Sequence, residues 1–300
     1  MQVILGASCW GLIGLFTRPL SSAGCSAVQI AFLRCVLSAL LLWLYLAVFD
    51  RTALKIAFRD IWMFFGTGVL SLVLFSVMYF KTQQEATLSV AAVLLYTSPC
   101  FVILMSALFF RERITGKMLL ALLLAFTGCV CTTGLAQSLL TGGELALPPL
   151  SILTGIGSGF GYALYSIFAN MALKKYSSIT VTAYTLLFAT LALSPFCLNA
   201  ELWGLITGSG KVLPTTVCLA LVSTILPYAL YTLGLKNTSP GRASVLAFAE
   251  PLVATLISTA VFHESLTVSG VIGILLIFLS IFLLSTEAGG DTGQSNTEEA

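Results

Sequence analysis

Apolar runs of near bilayer-crossing length, divided by short segments bearing charge or turn residues, succeed one another along almost the whole of this 300-residue chain. A helix needs roughly 20 apolar residues to cross the hydrocarbon layer. Inside lipid it must also satisfy every backbone hydrogen bond internally, which leaves the helix as the form such runs can take. Ten are predicted. The first five are Gln2–Thr17, Ser26–Phe49, Ile61–Phe80, Leu88–Phe110 and Lys117–Gln137. The second five are Leu150–Leu173, Ile179–Leu198, Leu213–Leu235, Ala243–Phe262 and Val268–Ser285. The expected fold is an all-α integral membrane protein.

Composition excludes a soluble alternative. Hydrophobic residues make up 58% of the chain and charged residues 9%, against about a quarter charged in an ordinary soluble domain. A mean hydropathy of +1.02 over this length leaves too little polar surface to cover one globular core. The net charge of +2 is small and scattered, so nucleic acid is not an expected partner. Eight cysteines lie mostly in apolar runs without a CxxC or Cys/His cluster, and read as buried, inert thiols rather than ligands. The first run lacks the basic region and small-residue cleavage pattern of a secretory signal, so it reads as a retained helix. Because Gln2–Thr17 falls short of a full span, a few residues are expected to precede it. The segment after Thr286 (EAGGDTGQSNTEEA) is polar and acidic and reads as a disordered tail.

Lys and Arg concentrate in cytoplasmic loops. With the N-terminus inside, that side receives Arg51, Lys55, Arg59, Arg111, Arg113, Lys117, Lys174, Lys175, Lys236 and Arg242. The opposite side receives Arg18, Lys81 and Lys211, with Arg34 inside the second span. Both termini are therefore predicted to be cytoplasmic.

The chain also repeats itself. A shift of 152 residues, the distance from Ala91 to Ala243, aligns AAVLLYTSPCFVILMSALFFRERIT with ASVLAFAEPLVATLISTAVFHESLT without a gap, matching nine of 25 positions. The matches include Pro99 with Pro251, Glu112 with Glu264 and Thr115 with Thr267, and the same shift pairs Tyr79 with Tyr231 and Trp10 with Tyr162. Five spans per repeat is an odd number, so equivalent spans must cross in opposite directions. Two inverted five-helix repeats follow, expected over residues 1–145 and 146–286, with 287–300 as the tail. Inverted repeats are a recurring plan of secondary transporters, with the substrate site where the halves meet.

Several residues carry a closer resemblance. The Trp10-Gly11 and Leu33-Arg34 pairs, Pro99 and Pro251, and the phrases Glu112-Arg113-Ile114-Thr115 and Glu264-Ser265-Leu266-Thr267 fall at successive places along nearly the whole chain. In this the sequence resembles the drug/metabolite transporter superfamily, in particular its EamA-type ten-helix members. It departs in one respect: the glycine usual before each of those glutamates is Arg111 in the first half and His263 in the second. The resemblance implies export of metabolites, amino acids or drugs, often coupled to protons.

Glu250 is the one acidic residue near the middle of a span. An intramembrane carboxylate is costly enough to be a functional candidate, here as a proton-coupling group. The competing reading is structural: Pro251 frees a backbone carbonyl, and the Glu250 side chain helps to satisfy the broken helix. Arg34 is either an anchor for an anionic substrate group or a residue that snorkels outward and pairs with loop carbonyls. Trp10, Tyr79, Tyr96, Tyr162, Tyr165, Tyr228 and Tyr231 all lie within predicted spans. They are candidates for cavity lining, with packing an equal alternative for each. Pro99, Pro227 and Pro251 are kink candidates, and Gly155, Gly157, Gly159 and Gly161 give two overlapping GxxxG spacings for close helix contact. That glycine run is no nucleotide loop, since no strand precedes it in an apolar span. His263-Glu264 lacks the second histidine of HExxH, so no metal and no cofactor are expected.

These features predict a cell-membrane secondary exporter, not an enzyme, working by alternating access on a small metabolite such as an amino acid, with protons the candidate coupling ion. A multidrug or cation efflux protein is the alternative, against which the lack of a carboxylate in the first span counts. An intramembrane enzyme would need paired acids, a Ser/His pair or HExxH within the spans, and the sequence offers none. The expected partners are a small-molecule substrate and the lipid bilayer.

Overall fold

A computed structural model describes residues 1–140, 142 and 148–287, and every regular element among them is a helix. Among the described residues nine helices are long and apolar enough to cross a membrane: Gln2–Ser22, Ala27–Phe49, Phe58–Glu85, Leu88–Phe110, Pro149–Ala172, Ser178–Cys197, Val212–Gly234, Pro240–Phe262 and Val268–Thr286. Gly116–Thr132 is a shorter apolar helix and occupies the place of the fifth span. The spans are therefore ten, numbered here in chain order. The boundary expected at 145/146 and all but the first residue of the expected tail lie outside the described residues.

The boundaries differ from the sequence reading where polar residues sit at helix ends. The first span runs on through Arg18 and Pro19 to Ser22, 21 residues in all, so it is not short after all. Hydropathy alone stopped it at the charge. The fifth ends at Thr132 rather than Gln137, because Gly134 takes a left-handed φ of 75° and a separate short helix follows over Leu135–Leu140. A further helix over Ala200–Gly208, unforeseen in the sequence, is started by Asn199, whose side chain accepts from the Leu202 N–H at 2.9 Å. Only Cys25, Cys35, Cys129 and Cys197 are buried, while Cys100 and Cys218 are exposed, which corrects the expectation of buried thiols for those two.

The two halves interlock. The first span packs against the eighth and ninth, and the sixth, its repeat equivalent, packs against the third and fourth. The second pairs with the seventh and the fifth with the tenth. Small residues set these approaches, as packing between helices in lipid requires. A Cβ on Gly155 would overlap the Leu94 side chain, and one on Gly159 would sit 2.6 Å from the Thr97 hydroxyl, both on the fourth span. On the other side of the sixth span, a Cβ on Gly161 would sit 2.9 Å from the Phe75 backbone nitrogen. The two interleaved GxxxG spacings thus face two different neighbours. Outward-facing positions such as Leu44, Leu108, Leu153 and Leu275 are more than half exposed and form the lipid-facing surface.

The repeat is visible in where helices bend. The fourth span breaks between Leu95 and Ser98, the ninth between Leu246 and Ala249. Each break lies just ahead of its proline, Pro99 or Pro251, because the ring excludes the carbonyl four residues earlier. The third and eighth spans each contain a wider π-helical stretch, Gly66–Val73 and Leu221–Ile225, which end one repeat length apart. In the eighth, Pro227 follows directly.

Spans four and nine also end alike. Phe110 and Phe262 are their last helical residues, followed by Arg111 at φ 56° and His263 at φ 54°. These positive values explain why glycine is usual at both places: a side chain in the left-handed region costs about 1–2 kcal/mol. Arg111→Gly and His263→Gly are each expected to raise stability by about 1 kcal/mol. Thermal unfolding of the purified protein in detergent checks this, and a lowered melting temperature for both variants would contradict it.

Candidate functional site

Both helix breaks meet at the centre of the molecule. Tyr96 closes the first half of the fourth span, and Phe248 occupies the equivalent place in the ninth. Their rings stack on each other at 5.6 Å between centroids. Residues one repeat length apart touch in this way only beside the axis that relates the halves. Trp10 and Tyr162 are a second such pair, with centroids 6.4 Å apart.

Glu250 projects into this central region. The carbonyl of Ala247, freed by Pro251, is taken by the backbone N–H of Glu250 at 3.0 Å. Its side chain is therefore not needed to mend the helix and reaches other partners. The Tyr162 hydroxyl donates to Glu250 Oε2 at 3.4 Å. Tyr96, Tyr162, Tyr79 and Glu250 each keep part of their surface accessible while standing among the spans. They are thus neither fully buried in the packing nor fully exposed. Phe75 packs edge-on to Tyr162 at 5.5 Å and closes that side.

The remaining aromatic candidates divide from these. Tyr165 and Tyr231 are 6% and 2% exposed, and their hydroxyls are engaged by Thr232 at 2.6 Å and Ser166 at 2.8 Å. Tyr228 is buried against Trp10 at 5.1 Å and Tyr165 at 5.1 Å. These three form a wall that ties the sixth span to the eighth behind Trp10, and the Tyr165 and Tyr231 hydroxyls are satisfied within it. Tyr79 sits beside Phe80 at 6.3 Å between ring centroids.

Arg34 is 8% exposed and stays within the bundle. Its Nε has no hydrogen-bond partner among the described residues. A buried guanidinium with an unmatched donor is chemically suited to an anionic group. Among the described residues no group of three or more His, Cys, Asp or Glu side chains could hold a metal ion.

Two further glutamates do polar work at the ends of spans. The Glu112 carboxylate accepts from Ser106, from Ser239 and from the Gly241 N–H, the last at 3.1 Å. Glu264 accepts from the Ser258 hydroxyl at 2.5 Å and pairs with Arg18 at 2.7 Å. Those contacts, the hydroxyl first, hold the Glu264 carboxyl below the ordinary glutamate range. The sequence reading used both glutamates only as repeat markers. Phe248 could have been found there, since it lies at the same shift from Tyr96, but the grip of Glu112 on the start of the ninth span left no local signal.

A model of the EamA-like transporter family matches residues 1–134 and again 149–286. An uncharacterized transporter of Archaeoglobus fulgidus is 31% identical over 290 residues, covering 94% of each chain. The uncharacterized inner membrane transporter YicL of Salmonella typhimurium is 28% identical, covering 73% of this chain and 74% of its own. Protein PecM of Dickeya dadantii is 26% identical over 75% of this chain and 73% of its own. A crystal structure 18% identical in sequence superimposes with a TM-score of 0.79 over 96% of each chain and shares the fold.

Proposed function

Since this chain belongs to the EamA-like transporter family and is a multi-pass membrane transporter, we propose that it exports a small, partly apolar metabolite such as an amino acid by alternating access between halves at 1–145 and 146–286. The carrying observation is the central cluster, where Glu250, Tyr96 and Tyr162 meet beside the axis between the halves. One carboxylate and one enclosed guanidinium, among aromatic rings, match a zwitterion with an apolar side chain better than a large lipophilic cation. Glu250 is the proton-coupling group in this reading, and the ten basic residues of one side support cytoplasmic termini. The aromatic, nearly acid-free interior also speaks against catalysis within the spans.

Counterflow in proteoliposomes tests this reading. Labelled leucine and phenylalanine are expected to exchange, and tetraphenylphosphonium is not. Tyr162→Ala is expected to slow exchange about tenfold, the effect of one lost contact of about 1.4 kcal/mol. Tyr45→Ala, on the outer surface at 49% exposure, serves as the control. Exchange of the cation alone would establish the efflux alternative instead, and equal rates in both tyrosine variants would remove Tyr162 from the site.

A further inference from the structure

The two halves are alike in sequence around their fourth and ninth spans, but those spans are held differently at their two ends. On the basic side, the start of the ninth span packs against the end of the fourth. On the other side, the start of the fourth span and the end of the ninth make hardly any contact. Exposure follows the same division. Pro240 and Gly241 are buried, whereas Leu88, the equivalent of Pro240, is 65% exposed. The bundle is closed on the basic side and open on the opposite one.

Glu112 closes the basic side. Its carboxylate, steadied by Ser106 of its own helix, crosses to the Ser239 hydroxyl and the Gly241 N–H. A Cβ on Gly241 would sit 2.8 Å from a Glu112 carboxylate oxygen, so a side chain there would displace this contact. Glu264 is steadied in the same way by Ser258. The residues equivalent to Ser239 and Gly241 are Thr87 and Ser89, which have a hydroxyl and a backbone N–H to offer. Glu264 does not reach them. It pairs instead with Arg18, whose guanidinium also bonds Ser258 at 3.2 Å and lies 3.9 Å over the Phe262 ring. The first half has its own counterpart of that arrangement: the Lys174 ammonium lies 5.4 Å over the Phe110 ring.

We propose that Glu112 and Glu264 are alternating latches of the transport cycle. In the state seen here Glu112 locks the basic side, while Arg18 holds Glu264 away from its own latch partners. In the opposite state Glu264 leaves Arg18 for Thr87 and Ser89, and Glu112 leaves Ser239 and Gly241 for the neighbourhood of Lys174. The carboxylates exchange one set of charge-assisted hydrogen bonds for another, so neither state strands a bare charge at the closing surface. This inference rests on the alternating-access reading above.

Spectroscopic distances between labels attached through unnatural amino acids test it with all eight cysteines left in place. One label pair, Arg113 with Lys236, reports the basic side, and a second, Leu88 with Leu266, reports the other. Glu112→Gln and Arg18→Met are each expected to widen the first separation and shorten the second, shifting the ratio of the two states by about tenfold. Glu264→Gln is expected to shift it by a similar factor the other way. If the two states interconvert but their ratio is the same in Glu264→Gln and Arg18→Met as in the wild type, the latch proposal fails and alternating access survives. If neither separation changes in any variant or with cargo present, both readings fail.

Discussion

Glu250→Gln is expected to abolish cargo accumulation driven by a pH gradient while leaving counterflow exchange in place. The substitution keeps the size of the side chain and an acceptor for the Tyr162 hydroxyl, which stands 3.4 Å from the carboxylate, but it can neither bind nor release a proton. The backbone N–H that takes the Ala247 carbonyl is also unchanged, so the helix break is preserved. Gradient-driven uptake into proteoliposomes should fall at least about tenfold, toward the level of a facilitator, if this intramembrane carboxylate carries the coupling proton. Glu250→Asp should retain part of the response. Accumulation in the Gln variant equal to wild type would remove Glu250 from coupling and leave another ion, or none, as the driver.

The second large effect concerns the fold. Gly128→Leu and Gly273→Leu should each cost at least about 3 kcal/mol, lowering the melting temperature in detergent by about 10 °C. The fifth and tenth spans cross so closely that a Cβ on Gly128 would sit 2.7 Å from the Gly273 carbonyl oxygen, and one on Gly273 would sit 2.5 Å from that of Gly128. Backbone cannot step aside as a flexible side chain can, so the helices must part. At the repeat-equivalent crossing the residues are Ala121 and Ser280, where the Ser280 hydroxyl donates to the Ala121 carbonyl at 2.6 Å. Both crossings therefore depend on small residues. Gly14→Ala is the control, because a Cβ there meets nothing within 4 Å. Unchanged melting in the leucine variants would mean that this crossing is not a determinant of stability.

The same repeat that organised the sequence explains much of the fold's detail. Pro99 and Pro251 announced the broken fourth and ninth spans, since a proline ring cannot continue the preceding turn. The departure from glycine at Arg111 and His263 was legible only as a departure, and the structure showed that both positions are left-handed helix ends. Hydropathy ended the first span too early at Arg18, carried the fifth too far to Gln137 and missed the Ala200–Gly208 helix, because polar or turn residues sit inside or between helices there.

What the sequence by itself determined is the solvent, the number of spans, the duplication and the family. Each follows from a rule that acts along the chain: lipid demands long uninterrupted apolar helices, and a duplication leaves equivalent residues at one fixed shift. Only the tertiary structure decided which aromatics stand around Glu250 and which are packed away, and that Glu112 grips Ser239 across 127 residues of chain. A soluble helix reveals its inner face by its polar outer one. These spans are apolar toward lipid and toward one another alike, so the face that Tyr96, Tyr162 and Glu250 share was set by close packing at glycines and proline breaks, not by any hydropathy pattern.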